Sequence, residues 1–173
     1  EPGFGWDYRS LKLLRDVPAS KPSAIGARFA DDFLSYAQSA NQDANLTLSM
    51  IDLTALTGVE AALGAMIQEV WPKLGDLAPP IAKARAASVE FNRDDGSPIG
   101  GGSQVDLISL ASNLVSQGAI AATTRDALAK AIDAAVVHQV RGPTKKGAHG
   151  MAIQFPPPLS FNGAAYGQLP GVA

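Results

Sequence analysis

Apolar side chains recur at helical spacing over much of the chain, and this pattern predicts about six helices. The clearest stripe begins at Pro22, which suits a first helical turn, and ends near Asn41. Its apolar or aromatic members are Ile25, Phe29, Phe33 and Tyr36. Similar stripes predict helices within 53–71, 79–88, 107–117 and 124–141, with a shorter one after Asp7. Helices therefore dominate the predicted secondary structure.

Two segments alternate between apolar and polar residues instead, and this period of two predicts strands. The first spans 46–52 and the second spans 151–155, with a third, very short strand over 89–91. Helices around a few strands are typical of an α/β layer fold, but two clear strands cannot cover so many apolar helix faces. We therefore predict the C-terminal portion of an α/β/α sandwich whose sheet is largely supplied by upstream sequence. The alternative is a complete helical domain with a small ribbon.

The rest of the chain is predicted to be loop. Glycine and aspartate dominate the stretch 92–104, which we interpret as a surface loop or insertion. Consecutive prolines at 156–158 end the second strand, and a loop-like tail follows over 157–173. The whole of 1–173 is predicted to be one part of a single domain.

Charge and composition exclude several functional classes. The 14 basic and 16 acidic residues give a net charge of -2, so no nucleic-acid partner is expected. The chain has no cysteine, which excludes disulfides, thiolate metal sites and a cysteine nucleophile of its own. No segment has the roughly 20 apolar residues that span a bilayer, so no membrane partner is expected either. The sequence opens at Glu1 without a methionine, and further sequence upstream is therefore expected.

Four segments, in this order, carry a resemblance to a known family. The first, 1–8, reads EPGFGWDY; the second, 46–53, is a strand that enters a helix through an Ile-Asp-Leu turn. The third, 105–107, is a Val-Asp-Leu helix start, and the fourth, 147–156, contains a Gly-Met-Ala-Ile-Gln-Phe-Pro strand. Together they resemble the C-terminal half of the clostripain-like cysteine peptidases, and their order carries the resemblance more than any one motif does.

The resemblance implies a caspase-type α/β fold and an endopeptidase that cleaves after basic residues, with a cysteine thiolate and a histidine general base. In the family both catalytic residues lie upstream of the segment that begins at Glu1, so no catalytic residue is expected here. The chain should be inactive alone and should complete the fold and substrate pocket. Its expected partners are the N-terminal portion of the same peptidase and a peptide or protein substrate with a basic residue. A secreted or periplasmic location is favoured by the resemblance.

Asp7 and Trp6 are the candidate substrate-binding residues. By resemblance, their loop borders the pocket for the residue before the scissile bond, where Asp7 would pair with a substrate guanidinium and Trp6 would form a wall. The spacing also fits Asp7 as the N-cap of the following helix, and Trp6 as a partly buried aromatic. Both interpretations stay open.

The remaining polar groups are assigned structural roles. His138 is predicted late in a helix and His149 directly before a strand, and neither lies near a nucleophile or a paired carboxylate in sequence. Some relatives are calcium-activated, but the acidic turn at 94–96 fits no EF-hand loop, so no cofactor is predicted. The lysine pair 145–146 is read as exposed loop charge or as a site that a trypsin-like activity would nick.

A second hypothesis comes from a different functional class. The chain would then be a non-catalytic helical module that binds or assembles with another protein. That hypothesis predicts a closed core, whereas the peptidase hypothesis predicts an unfinished sheet edge.

Overall fold

The computed structural model of the protein describes residues 11–12, 15, 22–91 and 104–156. Five helices and four short strands follow one another in these ranges. The order is α1 (Pro22–Ser39), β1 (Thr47–Ile51), α2 (Leu56–Val70), α3 (Leu74–Ala86), β2 (Gln104–Asp106), α4 (Leu107–Ser116), α5 (Ala122–Ala135), β3 (Val136–Arg141) and β4 (Ala152–Gln154). Single 3-10 turns occupy Leu53–Ala55, Trp71–Lys73 and Pro143–Lys145. The protein is thus a helix-rich α/β structure, as predicted.

Helix α1 covers the predicted segment, and of its four predicted stripe residues Phe33 is buried while Ile25, Phe29 and Tyr36 are half-buried. Its buried residues are Ala30, Phe33 and Ala37, and this face packs on β1 and β3. Arg28 and Asp32 form an i,i+4 ion pair on the outer face, with 2.9 Å between Nε and Oδ1. Asn41 takes a positive φ of 54° just past the helix end, a conformation that asparagine tolerates and that stops helices.

Strands β1 and β3 form an antiparallel ladder in which Leu48 opposes Val140 and Met50 opposes His138. The sequence pattern had predicted helix through 141, and this prediction is wrong for the last six residues of that segment. Valine occurs three times within Val136–Arg141, and β-branched residues pack well on a pleated surface. Pairing with β1 therefore overrides the helical spacing that continues from α5.

Strands β2 and β4 form a second antiparallel ladder, in which Val105 opposes Ile153. On its other side Val105 makes a single bridge to Glu90. The amide of Phe91 donates to the carbonyl of Gln104 at 3.1 Å, and the very short strand predicted over 89–91 is present as this single bridge at Glu90. Gln104 begins β2, whereas residues 92–103 of the predicted loop and the tail 157–173 lie outside the described residues.

The core is built around α4. Five of its residues are buried, Leu107, Ile108, Leu110, Ala111 and Leu114, and the helix packs against both α3 and α5. Helix α5 contributes Leu128, Ile132 and Ala135 to the same cluster and packs on α2. A separate small cluster around Phe33 lies under α1. The helical layers thus bury most of the apolar surface that the stripes predicted.

The junction of α2 and α3 differs from the prediction. Pro72 was expected to stop one helix and Pro79 to open the next. Instead a 3-10 turn carries the chain through Pro72, and α3 begins at Leu74 with Pro79 and Pro80 inside it. The amides that Pro79 and Pro80 lack would have bonded to carbonyls in the first turn of α3, so the hydrogen bonds that the helix forgoes lie in that turn.

Candidate functional site

The two substrate-binding residues predicted from sequence, Trp6 and Asp7, lie outside the described residues. The acidic turn at 94–96 lies outside them as well. Three polar residues lie where strands β1 and β2 end and the helices α2 and α4 follow. They are the capping aspartates Asp52 and Asp106, and His149 beside Asp106. This strand-end edge consists of Asp52, Asp106, Val136, His149 and Gly150.

Gly150 connects the two ladders at this edge. A Cβ placed on Gly150 would lie 3.0 Å from both Val136 methyl groups and 3.2 Å from Ser49 Oγ, and the residue has a φ of 95°. Val136 opposes Ile51 at the end of β1, while Gly150 precedes β4, whose first residue Ala152 opposes Asp106. The carboxyl ends of β1 and β2 therefore face the same side as the amino ends of β3 and β4.

Asp106 and His149 form the most tightly bonded pair at the strand-end edge. Asp106 Oδ1 accepts from the amide of Ser109 at 2.8 Å and lies 2.9 Å from the ring Nδ1 of His149. Asp106 Oδ2 accepts from the amide of His149 at 2.6 Å. The Asp106 side chain is fully buried, whereas 41% of the His149 side chain is exposed. One buried carboxylate thus caps α4 and fixes both the main chain and the ring of His149.

The hydrogen bonds of this pair define the His149 tautomer. Both Asp106 oxygens already accept from backbone amides, and a carboxylate in that role only accepts. Ring Nδ1 therefore carries the proton that it shares with Asp106. Among the described residues none hydrogen-bonds to Nε2, and this nitrogen is an acceptor when the ring is neutral.

His138 lies in a different setting. The prediction that it sits late in a helix is wrong, because it is a β3 residue opposite Met50. Its Nε2 lies 2.8 Å from Oδ1 of Asp31 on α1, and 30% of the His138 side chain and 54% of the Asp31 side chain are exposed. This exposed pair joins α1 to β3 and supports the structural role that was predicted for His138.

Asp52 occupies the matching position at the end of β1. Its Oδ1 accepts from the hydroxyl of Thr54 at 2.6 Å and from the amide of Thr54 at 2.9 Å. The hydroxyl, followed by the amide, lowers the pKa of Asp52 below its usual value, while desolvation opposes them. Asp52 is thus an N-cap of the 3-10 turn and stays charged to lower pH than a free aspartate.

The two lysines at 145–146 differ in exposure and in hydrogen bonding. Lys145 Nζ donates to the carbonyl of Glu90 at 2.7 Å and lies 5.9 Å from the centre of the Phe91 ring. Lys146 is exposed at the end of the 3-10 turn. Only the second lysine therefore matches the exposed loop charge that was predicted for both.

No cluster of three or more His, Cys, Asp or Glu side chains suited to a metal occurs in the described ranges. Within those same ranges no helix has the length and apolar character needed to cross a membrane.

Comparison with known proteins identifies the family. The model of the clostripain family matches residues 1–153 of the chain. The chain belongs to the clostripain family. Three of the four resembling segments lie wholly inside the matched range, and the fourth, 147–156, begins inside it. Membership in the clostripain family relates the chain to cysteine peptidases, which are hydrolases. No curated protein matches the chain.

The Asp106–His149 contact was missed by reasoning from sequence. Asp106 was recognised as part of a helix start and His149 as a residue before a strand, but their contact depends on the pairing of β2 with β4. The sequence carries no local signal of this contact, because it arises only when Asp106 opposes Ala152 and the residues before β4 come next to the N-terminus of α4.

Proposed function

We propose that the chain is the C-terminal, non-nucleophilic segment of a clostripain-family cysteine endopeptidase that cleaves after basic residues. The family match over residues 1–153, combined with a sequence that contains no cysteine, carries this proposal. A cysteine peptidase needs a thiolate nucleophile and a base that activates it. Both groups would come from an upstream portion of the same peptidase, and the chain would complete the fold and the substrate pocket.

The strand pairing supports a partner of this kind. Among the described residues β1 pairs only with β3, and β3 pairs only with β1. Each therefore keeps one edge of unpaired amides and carbonyls in the described part of the chain, and such edges accept further strands. Two-stranded ladders are also marginal on their own in water. Upstream strands of a caspase-type sheet would supply the missing neighbours.

Reconstitution tests the proposal directly. The chain alone should not hydrolyse fluorogenic peptides that end in arginine or lysine before the reporter group. The same chain expressed with its upstream sequence should hydrolyse them, and replacing the upstream cysteine should abolish the activity. Cleavage by the chain alone, or an upstream sequence without a histidine and a cysteine, would contradict the proposal.

Within this proposal Asp7 and Trp6 border the pocket for the basic residue. A carboxylate and a guanidinium form a charge-assisted, often bidentate contact, which is worth about 1.5–3 kcal/mol. Asp7→Ala in the active protein should therefore lower kcat/KM for arginine substrates by roughly tenfold or more. If the substitution instead lowers Tm and leaves kcat/KM unchanged, Asp7 acts only as a helix cap.

A second candidate function is a non-catalytic protein-binding module. Two large apolar side chains favour it, because Leu53 is 74% exposed and Trp71 is 69% exposed. Tryptophan in particular is enriched at protein–protein interfaces. If the protein expressed with its upstream sequence cleaves no peptide after arginine or lysine, this candidate replaces the first.

A further inference from the structure

We propose that His149 contacts the bound peptide substrate through its Nε2 atom, and that Asp106 is the residue that positions it. This inference rests on the proposed peptidase function and adds a substrate-contacting residue to it. Nε2 of His149 accepts a hydrogen bond from an N–H group of the substrate.

The first argument is the orientation of the ring. Asp106 is fully buried, and its two oxygens accept hydrogen bonds from the ring Nδ1 of His149, the His149 amide and the Ser109 amide. A buried carboxylate is costly unless its hydrogen bonds are made, so the ring is held firmly in place. The two imidazole nitrogens lie on opposite sides of the ring, so a bond at Nδ1 directs Nε2 away from Asp106. Carboxylate-bound histidines of this kind have a defined tautomer and a free second nitrogen.

The second argument is location. His149 lies at the strand-end edge, on the side where the carboxyl ends of β1 and β2 meet. In an open, mostly parallel α/β sheet, the kind that the proposed peptidase would complete with its upstream strands, ligands bind in the crevice outside the carboxyl ends of the strands. Gly150, with its positive φ and its close approach to Val136 and Ser49, fixes the backbone directly after His149. Asp106 therefore fixes the ring of His149, and Gly150 fixes the backbone that follows it.

The third argument concerns the chemistry of the exposed nitrogen. Because Nδ1 donates to Asp106, the neutral ring presents a lone pair at Nε2. A peptide substrate offers suitable donors in its main-chain amides and in a basic side chain. The contact holds the substrate before and during the reaction, so its loss should raise KM more than it lowers kcat.

Two substitutions of His149 distinguish a substrate contact through Nε2 from a purely structural bond to Asp106, a role called a structural tether below. In His149→Asn the side-chain amide can still donate to Asp106, as Nδ1 does, but nothing replaces Nε2. In His149→Gln a polar atom reaches the Nε2 position, but the bond to Asp106 is lost. His138→Gln is the matched control, because the other histidine of the chain also pairs with an aspartate but lies between β3 and α1.

The active protein with its upstream sequence is assayed for hydrolysis after arginine, and Tm is recorded for each variant. We expect His149→Asn to raise KM about tenfold with nearly unchanged kcat, the effect of one lost hydrogen bond. We expect His149→Gln to raise KM by about threefold, less than His149→Asn does, because its polar atom reaches the Nε2 position but is no longer positioned by Asp106, and to lower Tm. His138→Gln should leave both constants unchanged.

Opposite results overturn the inference. If His149→Asn retains wild-type KM, or if only the Gln variant loses activity, His149 is a structural tether. If His138→Gln raises KM as much as His149→Asn does, the effect is not specific to the strand-end edge. A wild-type protein that cleaves no basic substrate contradicts the proposed function itself. Normal cleavage by His149→Asn contradicts this inference alone.

Discussion

The carboxylate of Asp106 accepts hydrogen bonds from the main chain and the ring of His149, a residue 43 positions later in the sequence. The same carboxylate caps α4 through the amide of Ser109. A single side chain thus joins the start of the central helix to the segment that leads into β4. Because Asp106 is fully buried, water cannot replace these bonds when the carboxylate is removed.

The first prediction follows from this contact. Asp106→Asn places an amide donor beside groups that are themselves donors, so buried hydrogen bonds are lost and the helix cap weakens. We expect the free energy of unfolding to fall by about 3 kcal/mol, measured by urea denaturation. Asp52→Asn is the matched control, since it alters an exposed aspartate that caps the turn after β1. Equal losses in the two variants would show that burial of Asp106 contributes nothing.

The second prediction concerns the titration of Asp52. The Thr54 hydroxyl, with help from the Thr54 amide, lowers the pKa of Asp52 in the folded protein. The folded value therefore lies below the unfolded one. The stabilisation is fully present above the unfolded pKa and is lost as the pH falls through the folded pKa.

Substitution of Thr54 tests this cause. Thr54→Val removes the hydroxyl and should move the pKa of Asp52 most of the way back to its usual value, measured by NMR titration of the side-chain carboxyl carbon. Thr54→Ser keeps the hydroxyl and should keep the lowered pKa. An unchanged titration in Thr54→Val would assign the lowered pKa to another cause.

Reasoning from sequence succeeds for the elements whose pattern is local. The stripe on α1 and the alternation in β1 and β4 correspond to observed elements: α1 buries one face, and Ile153 of β4 is more buried than its two neighbours, although the residues of β1 are all half-buried. The helix-to-strand switch at Val136 could not be found this way. The residues from 128 to 136 keep helical spacing, and only the presence of β1 as a pairing partner ends the helix at Ala135.

Helix caps show the same limit. The sequence has capping-box spacing at Thr57 with Glu60 and at Thr123 with Asp126, but neither pair caps its helix, because the N-cap residues are Ala55 and Ala121. Helix α5 has no side-chain cap of its own, because Glu69 from α2 takes that role. Contacts between residues more than 50 positions apart leave no trace in local spacing, and the Asp106–His149 pair was hidden for the same reason.

The third prediction concerns the hydrogen bonds that Glu69 of α2 accepts at the start of α5. Glu69 Oε1 accepts from the amide of Ala121 at 2.7 Å, and Oε2 accepts from the hydroxyl of Thr124 at 2.5 Å. Glu69→Ala leaves the first turn of α5 without its acceptor, so we expect a loss of about 1 kcal/mol in unfolding free energy. Glu60→Ala on the exposed face of the same helix is the control and should change the stability by less than about 0.5 kcal/mol. A larger loss from Glu60→Ala would refute the assignment.

The fourth prediction compares two glycines that differ in the space around them. Gly142 is buried and its amide donates to the carbonyl of Leu46 at 2.8 Å; a Cβ there would overlap the backbone oxygens of Asp43 and Ala44. Backbone cannot move aside as a flexible side chain can, so Gly142→Ala should destabilise the protein by about 2 kcal/mol.

Gly64 is the counterpart in the middle of α2, where a Cβ would meet nothing within 4 Å. Gly64→Ala should stabilise the protein by about 0.5–1 kcal/mol, because alanine loses less backbone entropy when the helix forms. Thermal unfolding followed by circular dichroism should show a lower Tm for Gly142→Ala and a higher Tm for Gly64→Ala than for the unchanged protein. A neutral Gly142→Ala would mean that the segment 43–44 can retreat from β3.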